Sequence, residues 1–167
     1  RLHSSGVLGP FAVLHPGSAR AEKMWCPKKW ASVARFLRNE YSLDVILTGG
    51  NDPIEIAQIE QIRQLAGQSG IFSFAGETTL SEAAAIIAKA RAFVGVDTGA
   101  SHIADLLGIP SVVLYGGTNP RHWGPRSPLG RAVGLKGFSS QPHDFPKCDM
   151  RDIPIENLVA ALRDILQ

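Results

Sequence analysis

The sequence FVGVDTGASHIADLLGIPSVVLYGGTNPRHW, residues 93–123, decides the fold of this chain. An apolar run at residues 92–96 leads into the small polar residues 97–99, and a helical pattern follows. A second apolar run at residues 111–115 leads into the glycine-rich residues 116–120. Strand, helix and strand in this order predict a βαβ unit. In open parallel sheets, ligands bind at the loops that follow such strands.

The chain on either side of this unit repeats the alternation. Further strands are predicted at residues 11–15, 44–48, 71–74 and 131–135, and further helices at residues 27–39, 53–66, 79–90 and 154–166. The strands are short and apolar throughout, as expected when helices cover both faces of a sheet. The predicted fold class is therefore α/β, a doubly wound parallel sheet of the Rossmann-like kind. In this prediction residues 131–135 form an edge strand and residues 137–147 are irregular.

Two helix faces follow from the spacing of apolar residues. The helix at residues 53–66 is predicted to pack through Ile56, Ile59, Ile62 and Ala66. The helix after Gly99 is predicted to pack through Ala100, Ile103, Ala104 and Leu107.

Length and composition limit the possible functions. A chain of 167 residues with 44% hydrophobic and 19% charged residues is typical of one soluble domain. We expect residues 11–167 to form that domain and residues 1–10 to be a linker or the end of a preceding segment. The net charge of +2 is too small to indicate a nucleic-acid partner. No apolar run is long enough for a membrane span. Cys26 and Cys148 are far apart, which favours free thiols in a cytosolic setting.

Four loops that follow predicted strands are built of small residues. They lie at residues 17–18, 49–51, 97–99 and 116–118. Glycine lets a ligand approach the backbone, and the helix N-termini beside these loops offer unpaired N–H groups to phosphate. The alternative interpretation is that the polar side chains only cap helices and the glycines only form turns.

Basic side chains accompany two of these loops. His102 lies four residues after Thr98, so both share a helix face outside the predicted apolar one. Arg20 and Lys23 lie in the loop after the first strand, where a flexible cation can neutralise a diphosphate. The sequence has no G-x-G-x-x-G after that strand, no Walker A pattern and no G-x-S-x-G elbow. These absences disfavour dinucleotide, NTPase and α/β-hydrolase sites.

The block VGVDTGASHIADLLGIPSVVLYGGTNPRHWGP, residues 94–125, resembles the signature of family 9 glycosyltransferases, the lipopolysaccharide heptosyltransferases. That family shows D-T-G-x-x-H at a helix start and then a strand that ends in Y-G-x-T-x-P. Four more segments resemble the family in the same order, namely HPGSARAEKMWCPKKWASVARFL, VILTGGNDPIEIAQI, GETTLSEAAAIIAKARAFVGVDTG and KCDMRDIPIENLVAAL. The likeness covers residues 11–165.

The resemblance implies the C-terminal half of a GT-B enzyme, in which two Rossmann-like domains face a cleft. The donor would be ADP-heptose, and heptose would pass with inversion to the lipopolysaccharide inner core. No cofactor and no metal would be required. The partners implied are the nucleotide-sugar donor and, through the N-terminal domain, the lipopolysaccharide acceptor, without nucleic acid and with at most peripheral membrane association. The location implied is the cytoplasm, at the inner face of the inner membrane.

The resemblance also implies a set of substrate-binding residues. They are Ser18, Lys23, Glu55, Thr78, Asp97, Thr98, Gly99, His102, Gly117 and Thr118. Ser18 and Lys23 would contact the phosphates, Glu55 would lie near the ribose, and Thr78 near the adenine. Because the spacing after the glycines leaves the register open, Asp52 is the alternative to Glu55.

The same resemblance assigns roles to the central loops. Residues 97–99 would face the diphosphate and the sugar, with His102 close by, and Gly117 and Thr118 would flank the pocket. Lys23 and the helix-start amides would stabilise the charge that develops on the departing diphosphate.

An inverting transfer also needs a general base. In the family this base is a carboxylate of the N-terminal domain, which the resemblance places outside this chain. We therefore expect the isolated chain to bind donor without catalysing transfer. The alternatives are another GT-B nucleotide-sugar enzyme, with a different sugar or of the 2-epimerase type, and a non-catalytic nucleotide-binding module. A third is an α/β domain whose caps only look like a site.

Overall fold

The computed structural model describes residues 6–7, 9–141 and 144–167, so the expected linker at residues 1–10 lies largely outside the described residues. The strands are β1 (Phe11–His15), β2 (Asp44–Leu47), β3 (Ile71–Ser73), β4 (Ala92–Val96), β5 (Ser111–Leu114), β6 (Gly130–Gly134) and β7 (Gly137–Ser139). They form one sheet in the order β3-β2-β1-β4-β5-β6-β7. All pairings are parallel except that of β6 with β7.

The helices are α1 (Pro27–Tyr41), α2 (Pro53–Ala66), α3 (Leu80–Ile87), α4 (Gly99–Leu106), α5 (Pro120–Trp123) and α6 (Ile155–Ile165). Proline stands at the first position of α1 and α2, where its missing N–H costs nothing. A capping box of Thr79 and Glu82 starts α3. Short 3₁₀ turns occupy Ala21–Lys23 and Met150–Asp152. None of the helices that the structure describes is both long and apolar enough to span a membrane.

Helices cover both faces of the sheet. Successive strand residues point to opposite faces, so Leu14 packs in the core beneath α1, α2 and α6, whereas Val13 packs beneath α3 and α4. Trp30 and Leu37 of α1 are completely buried in the first core, and Phe93 of β4 in the second. This arrangement confirms the predicted doubly wound α/β fold.

The strand order reverses at β1. The chain proceeds from β1 outward to β3 and then returns to β4, which pairs with β1 on its other side. His15 at the end of β1 is in register with Gly95 of β4. The carboxyl ends of these two strands therefore meet at the topological switch point, where the loops diverge and a cleft opens.

The predicted strand near residues 131–135 is confirmed as β6, but its predicted position at the edge of the sheet is wrong. β6 pairs with β5 on one side and with β7 on the other, and β7 lies within the stretch predicted to be irregular. The turn between them places Gly137 at φ +130°, a conformation that side chains disfavour. A three-residue strand has no readable periodicity, so only its pairing with β6 defines it.

The predicted helix faces also need correction. Ile56 of α2 is 38% exposed, whereas its neighbour Glu55 is 7% exposed and turns inward. On α4 the buried residues are Ser101 and Ala104, and Leu107 lies beyond the end of the helix at 47% exposure. In both helices a polar side chain turns inward because it bonds backbone groups, a preference that apolar spacing does not register.

Candidate functional site

A lysine, an aspartate and a histidine meet at the switch point. Lys23, in the turn after β1, donates from Nζ to the backbone oxygen of Asp97 at 2.7 Å and to its Oδ2 at 2.8 Å. Nε2 of His102 lies 3.5 Å from the other carboxylate oxygen, Oδ1. The Asp97 side chain is 6% exposed and that of Lys23 is 16% exposed, so water screens their attraction only weakly. The structure thus brings together three of the expected site residues.

The cluster leaves donors available at the edge of the sheet. An ammonium group has three N–H donors, and Lys23 uses two of them on Asp97. The side chain of His102 is 43% exposed beside them. The third N–H of Lys23 and the exposed side of His102 are therefore available to an anion that binds at this edge of the sheet.

A cavity of about 350 Å³ lies beside this cluster, over the ends of β1, β2 and β4. Five of the expected residues line it: Ser18, Glu55, Thr78, Thr98 and Gly99. Glu55 is the one charged residue among the described residues of its wall. The far wall is apolar, because α3 and α4 contribute Ala83, Ile87, Ala100 and Ile103. One end of the cavity is thus polar and the other suits a flat apolar group.

The Glu55 carboxylate occupies a recess lined by glycine. Its Oε1 accepts a hydrogen bond from the Gly50 amide at 2.9 Å. A Cβ atom on Gly17 would stand 1.8 Å from Oε1, and one on Gly49 would stand 2.7 Å from it. From the sequence, these glycines are predicted to let a ligand approach the backbone. In the structure they also make room for the Glu55 side chain.

Asp52, the alternative to Glu55, has a different task. It is the N-cap of α2, and its Oδ1 accepts hydrogen bonds from the amides of Ile54 at 2.8 Å and Glu55 at 3.3 Å. Asp52 does not line the cavity, whereas Glu55 does. The structure thus places Glu55 in the cavity wall and Asp52 at the start of α2, and the contact of Glu55 with a ribose stays a prediction.

The start of α4 is open toward the cavity. Thr98 is the N-cap, but its hydroxyl makes only a long 3.4 Å bond to the Val96 carbonyl. Ser101 takes over the capping, since its hydroxyl accepts from the Thr98 amide at 3.2 Å and donates to the Thr98 carbonyl at 2.7 Å. No atom lies within 4 Å of a Cβ built on Gly99. The start of α4 therefore has open space beside Gly99, as an anion site at a helix N-terminus requires.

His15 is a cavity residue that sequence reasoning missed. Its Nδ1 lies 3.0 Å from the Thr48 hydroxyl oxygen, and its ring stacks on Phe93 with centroids 6.4 Å apart. Burial lowers the pKa of His15 to about 4, so the imidazole is uncharged at neutral pH. A polar residue that ends an apolar strand just before Pro16-Gly17 was the available signal.

The structure does not bring the last two expected residues to this cavity. Gly117 lines another cavity, of about 640 Å³, between the 21–23 turn and residues 148–151. Thr118 lines neither of the two. The loop after β5 turns away because residues 148–150 pack against Gly116, where a Cβ atom would stand 2.8 Å from the Met150 sulfur.

Trp123 is a second residue that the sequence analysis does not single out. Its ring centroid lies 6.4 Å from that of His102, and the residue is 56% exposed. The Tyr115 hydroxyl holds it in place by donating to the Trp123 carbonyl at 2.9 Å. Burial raises the pKa of Tyr115, so this donor keeps its proton.

Metal-binding side chains are not concentrated here. In residues 6–7, 9–141 and 144–167, no group of three or more His, Cys, Asp or Glu side chains is placed to hold a metal ion. Cys26 and Cys148 are free thiols, and burial raises the pKa of Cys148. Whether donor binding needs a metal is not decided by this geometry, and the metal-free site stays a prediction.

Known proteins resemble the chain over its whole length. Lipopolysaccharide heptosyltransferase 3 of Escherichia coli is 28% identical over 173 residues, which is 99% of this chain and 49% of that protein. Lipopolysaccharide heptosyltransferase 2 of Salmonella typhimurium is 33% identical over 120 residues, 68% of this chain and 32% of that protein. The chain spans about half the length or less of the curated relatives it matches.

Solved structures show the same fold. A family 9 glycosyl transferase of Veillonella parvula superposes with a TM-score of 0.82 at 21% identity, over 99% of this chain and 48% of that one. The E. coli ADP-heptose lps heptosyltransferase II gives 0.81 at 24%, over 99% of this chain and 49% of that one. The E. coli heptosyltransferase WaaC with ADP gives 0.78 at 20%, over 94% and 44%. At these identities the likeness establishes the Rossmann-like half of a GT-B fold.

More distant structures share the fold as well. TibC of E. coli, described as an iron-containing dodecameric glycosyltransferase, gives a TM-score of 0.64 at 18% identity. UDP-GlcNAc 2-epimerase of Methanocaldococcus jannaschii gives 0.64 at 14% identity.

The family itself follows from the sequence, because the model of "glycosyltransferase family 9 (heptosyltransferase)" matches residues 3–152. This chain belongs to glycosyltransferase family 9, the heptosyltransferase family.

Proposed function

We propose that residues 11–167 form a single nucleotide-sugar-binding domain, which holds ADP-heptose for inverting transfer of heptose to the inner core of lipopolysaccharide. The observation that carries the proposal is the position of the Lys23–Asp97–His102 cluster beside a cavity with one apolar wall. A nucleoside diphosphate sugar needs both environments. Its base is flat and apolar, and its diphosphate is anionic.

The nucleoside fits the end of the cavity formed by α3. Ala83 and Ile87 offer apolar contact to adenine, and the polar Thr78 lies at the same end. The Glu55 carboxylate uses Oε1 on the Gly50 amide and keeps Oε2 for the two ribose hydroxyls, which are donors. Glycine at positions 17, 49 and 50 lets the carboxylate sit low enough for a ribose above it.

The diphosphate fits between the first strand loop and the start of α4. The Gly99 amide and the helix dipole favour an anion, and the Ser18 hydroxyl lines the same part of the cavity. Lys23 supplies the full positive charge. Cleavage of the anomeric C–O bond leaves negative charge on the diphosphate, so Lys23 binds the departing ADP more strongly than it binds the intact donor.

The proposed role of this chain ends with the donor. Proton removal from the acceptor hydroxyl is assigned to a carboxylate of the N-terminal domain that the family resemblance implies, and binding of the lipopolysaccharide acceptor to that same domain. We propose a cytoplasmic location at the inner membrane face, with peripheral association at most and no nucleic-acid partner. We also propose that neither cofactor nor metal is needed. The likeness to lipopolysaccharide heptosyltransferases 2 and 3 supports this assignment.

The alternatives fare less well. The 2-epimerase resembles the chain in fold alone, whereas the family model covers most of the sequence. A donor with another sugar and a non-catalytic nucleotide-binding module are separated by the ligand test below.

The test is calorimetric titration of the 167-residue chain with ADP-heptose, ADP, UDP-N-acetylglucosamine and GDP-mannose, each with and without EDTA. We expect binding of ADP-heptose and ADP, no binding of the other two, and no effect of EDTA. Binding of ADP without any gain from the heptose would favour the nucleotide-binding module. Absence of binding to either adenine nucleotide would overturn the proposal. A parallel incubation of ADP-heptose with acceptor should yield no product from this chain alone.

A further inference from the structure

The imidazole of His15 is held in one orientation at the floor of the cavity. Nδ1 lies 3.0 Å from the Thr48 hydroxyl oxygen, and the ring stacks on Phe93 at an interplanar angle of 26°. His15 ends β1 and Thr48 follows β2, two neighbouring strands of the sheet. Because sheet and ring stacking fix both partners, the second ring nitrogen has a defined position.

The hydrogen bond with Thr48 indicates which ring nitrogen carries the proton. Thr48 is 2% exposed, and among the described residues its hydroxyl has no hydrogen-bond partner other than His15. A buried hydroxyl proton needs an acceptor, and Nδ1 is the acceptor within reach. If Thr48 donates to Nδ1, the ring proton must sit on Nε2. Burial disfavours the doubly protonated ring, which leaves this neutral tautomer.

The Nε2 atom opens into the cavity. In the described part of the chain, Nε2 of His15 has no hydrogen-bond partner. It is also not one of the fully buried side-chain atoms that lack a partner. Nε2 is therefore accessible, although His15 as a whole is partly buried. His15 lines the cavity together with Ser18 and Thr98, so the accessible side of the ring is the cavity side. The N–H group therefore points to ligand space.

We infer that His15 is a nucleotide-contacting residue, which donates Nε2–H to an oxygen of a nucleoside diphosphate bound in this cavity. The inference rests on the proposed function and adds a contact to it. An uncharged donor complements the cationic Lys23, because it binds oxygen acceptors without adding charge beside Glu55. It also gives a role to the polar ring that ends an otherwise apolar strand.

Two substitutions test the contact. His15→Phe keeps a ring that can stack on Phe93 and removes the donor. His15→Gln keeps an N–H donor and can still accept from Thr48. Titration with ADP should show affinity lowered about three- to tenfold by H15F, the loss typical of one neutral hydrogen bond, and largely restored by H15Q. Urea unfolding of both variants checks that they are folded.

An independent readout comes from ¹⁵N NMR of the histidine side chains. In the free protein Nε2 of His15 should be the protonated nitrogen, and its resonance should shift when ADP is added. If H15F binds ADP as the wild type does, or H15F and H15Q lose affinity equally, the contact is refuted and His15 is structural. If the wild type binds ADP but the variants do not behave as expected, the proposed function stands and only the His15 contact is lost. A wild type that binds no ADP overturns both.

Discussion

The Glu55 carboxylate lies so close to the backbone of Gly17 that a Cβ atom on residue 17 would stand 1.8 Å from its Oε1. The two residues are far apart in sequence and meet only because β1 and β2 are neighbours. Any larger residue at position 17 would therefore have to displace the Glu55 side chain. The relationship leads directly to a stability experiment.

Gly17→Ala should destabilise the fold by about 1–3 kcal/mol, the usual cost of overpacking, because the new methyl group must displace the Glu55 carboxylate. Urea unfolding measures the free-energy change. Gly117→Ala is the matched control, since no atom lies within 4 Å of its Cβ position, and it should be nearly neutral. In a double-mutant cycle, Glu55→Ala should relieve part of the penalty. Additive effects of the two substitutions would contradict the proposed contact.

Lys23→Ala should weaken ADP binding about tenfold to a hundredfold, because it removes a charged hydrogen-bond donor from the proposed diphosphate site. Calorimetry measures the affinity, and increasing salt should reduce the difference from the wild type. Lys28→Ala, an exposed lysine on α1, removes the same charge away from the cavity and should change affinity less than twofold. If both variants lost the same affinity for ADP, the effect would come from the net charge of the protein and not from a contact made by Lys23.

His15 should make stability depend on pH. Its folded pKa of about 4 lies below the ordinary 6.5, so the unfolded chain takes up the proton first as the pH falls. The stabilisation is complete above about pH 6.5 and is lost as the pH falls toward 4, by at most about 3 kcal/mol. Unfolding free energies at pH 7 and pH 4.5 measure the loss.

The His15→Phe variant serves as the reference for that measurement. Carboxylates such as Asp149, whose pKa the Arg151 guanidinium lowers to about 2, lose their contributions mainly below pH 4 and do so in both proteins. The difference between wild type and variant therefore isolates the histidine. Identical pH profiles would show that His15 titrates normally.

Tyr115→Phe should destabilise the chain by about 1 kcal/mol, because it removes the hydrogen bond from the hydroxyl to the Trp123 carbonyl. Thermal or urea unfolding measures the cost. Trp25 and Trp30 are 1% and 0% exposed, whereas Trp123 is 56% exposed. Quenching of fluorescence by iodide should therefore report Trp123, and it should increase in the variant if α5 loosens. Tyr41→Phe, on α1, is the control.

Much of this arrangement could be predicted from the sequence. The apolar strands and their small-residue loops define a doubly wound sheet, and parallel strands place those loops at one edge. Lys23, Asp97 and His102 were expected there, and the structure places them within hydrogen-bonding or near-contact distance. These residues meet because β1 and β4 are parallel neighbours in the sheet, so the loops after the two strands lie at the same edge.

The rest depended on contacts that periodicity does not encode. Ile56 was expected inside and Glu55 in an uncertain register, because the glycine recess that draws Glu55 inward belongs to two separate loops. No sequence pattern singles out His15, because its partner Thr48 lies in the loop after another strand. Gly117 was assigned to the pocket by resemblance, but packing of residues 148–150 directs its loop elsewhere. In each case a tertiary partner decided the outcome.

The ion pair between Lys23 and Asp97 joins residues separated by 74 positions, one after the first strand and the other after the fourth. Neither half of the sheet can form this pair by itself. The proposed anion site therefore exists only when β4 is docked against β1. If the chain binds nucleotide as proposed, that binding reports that these two strands have paired.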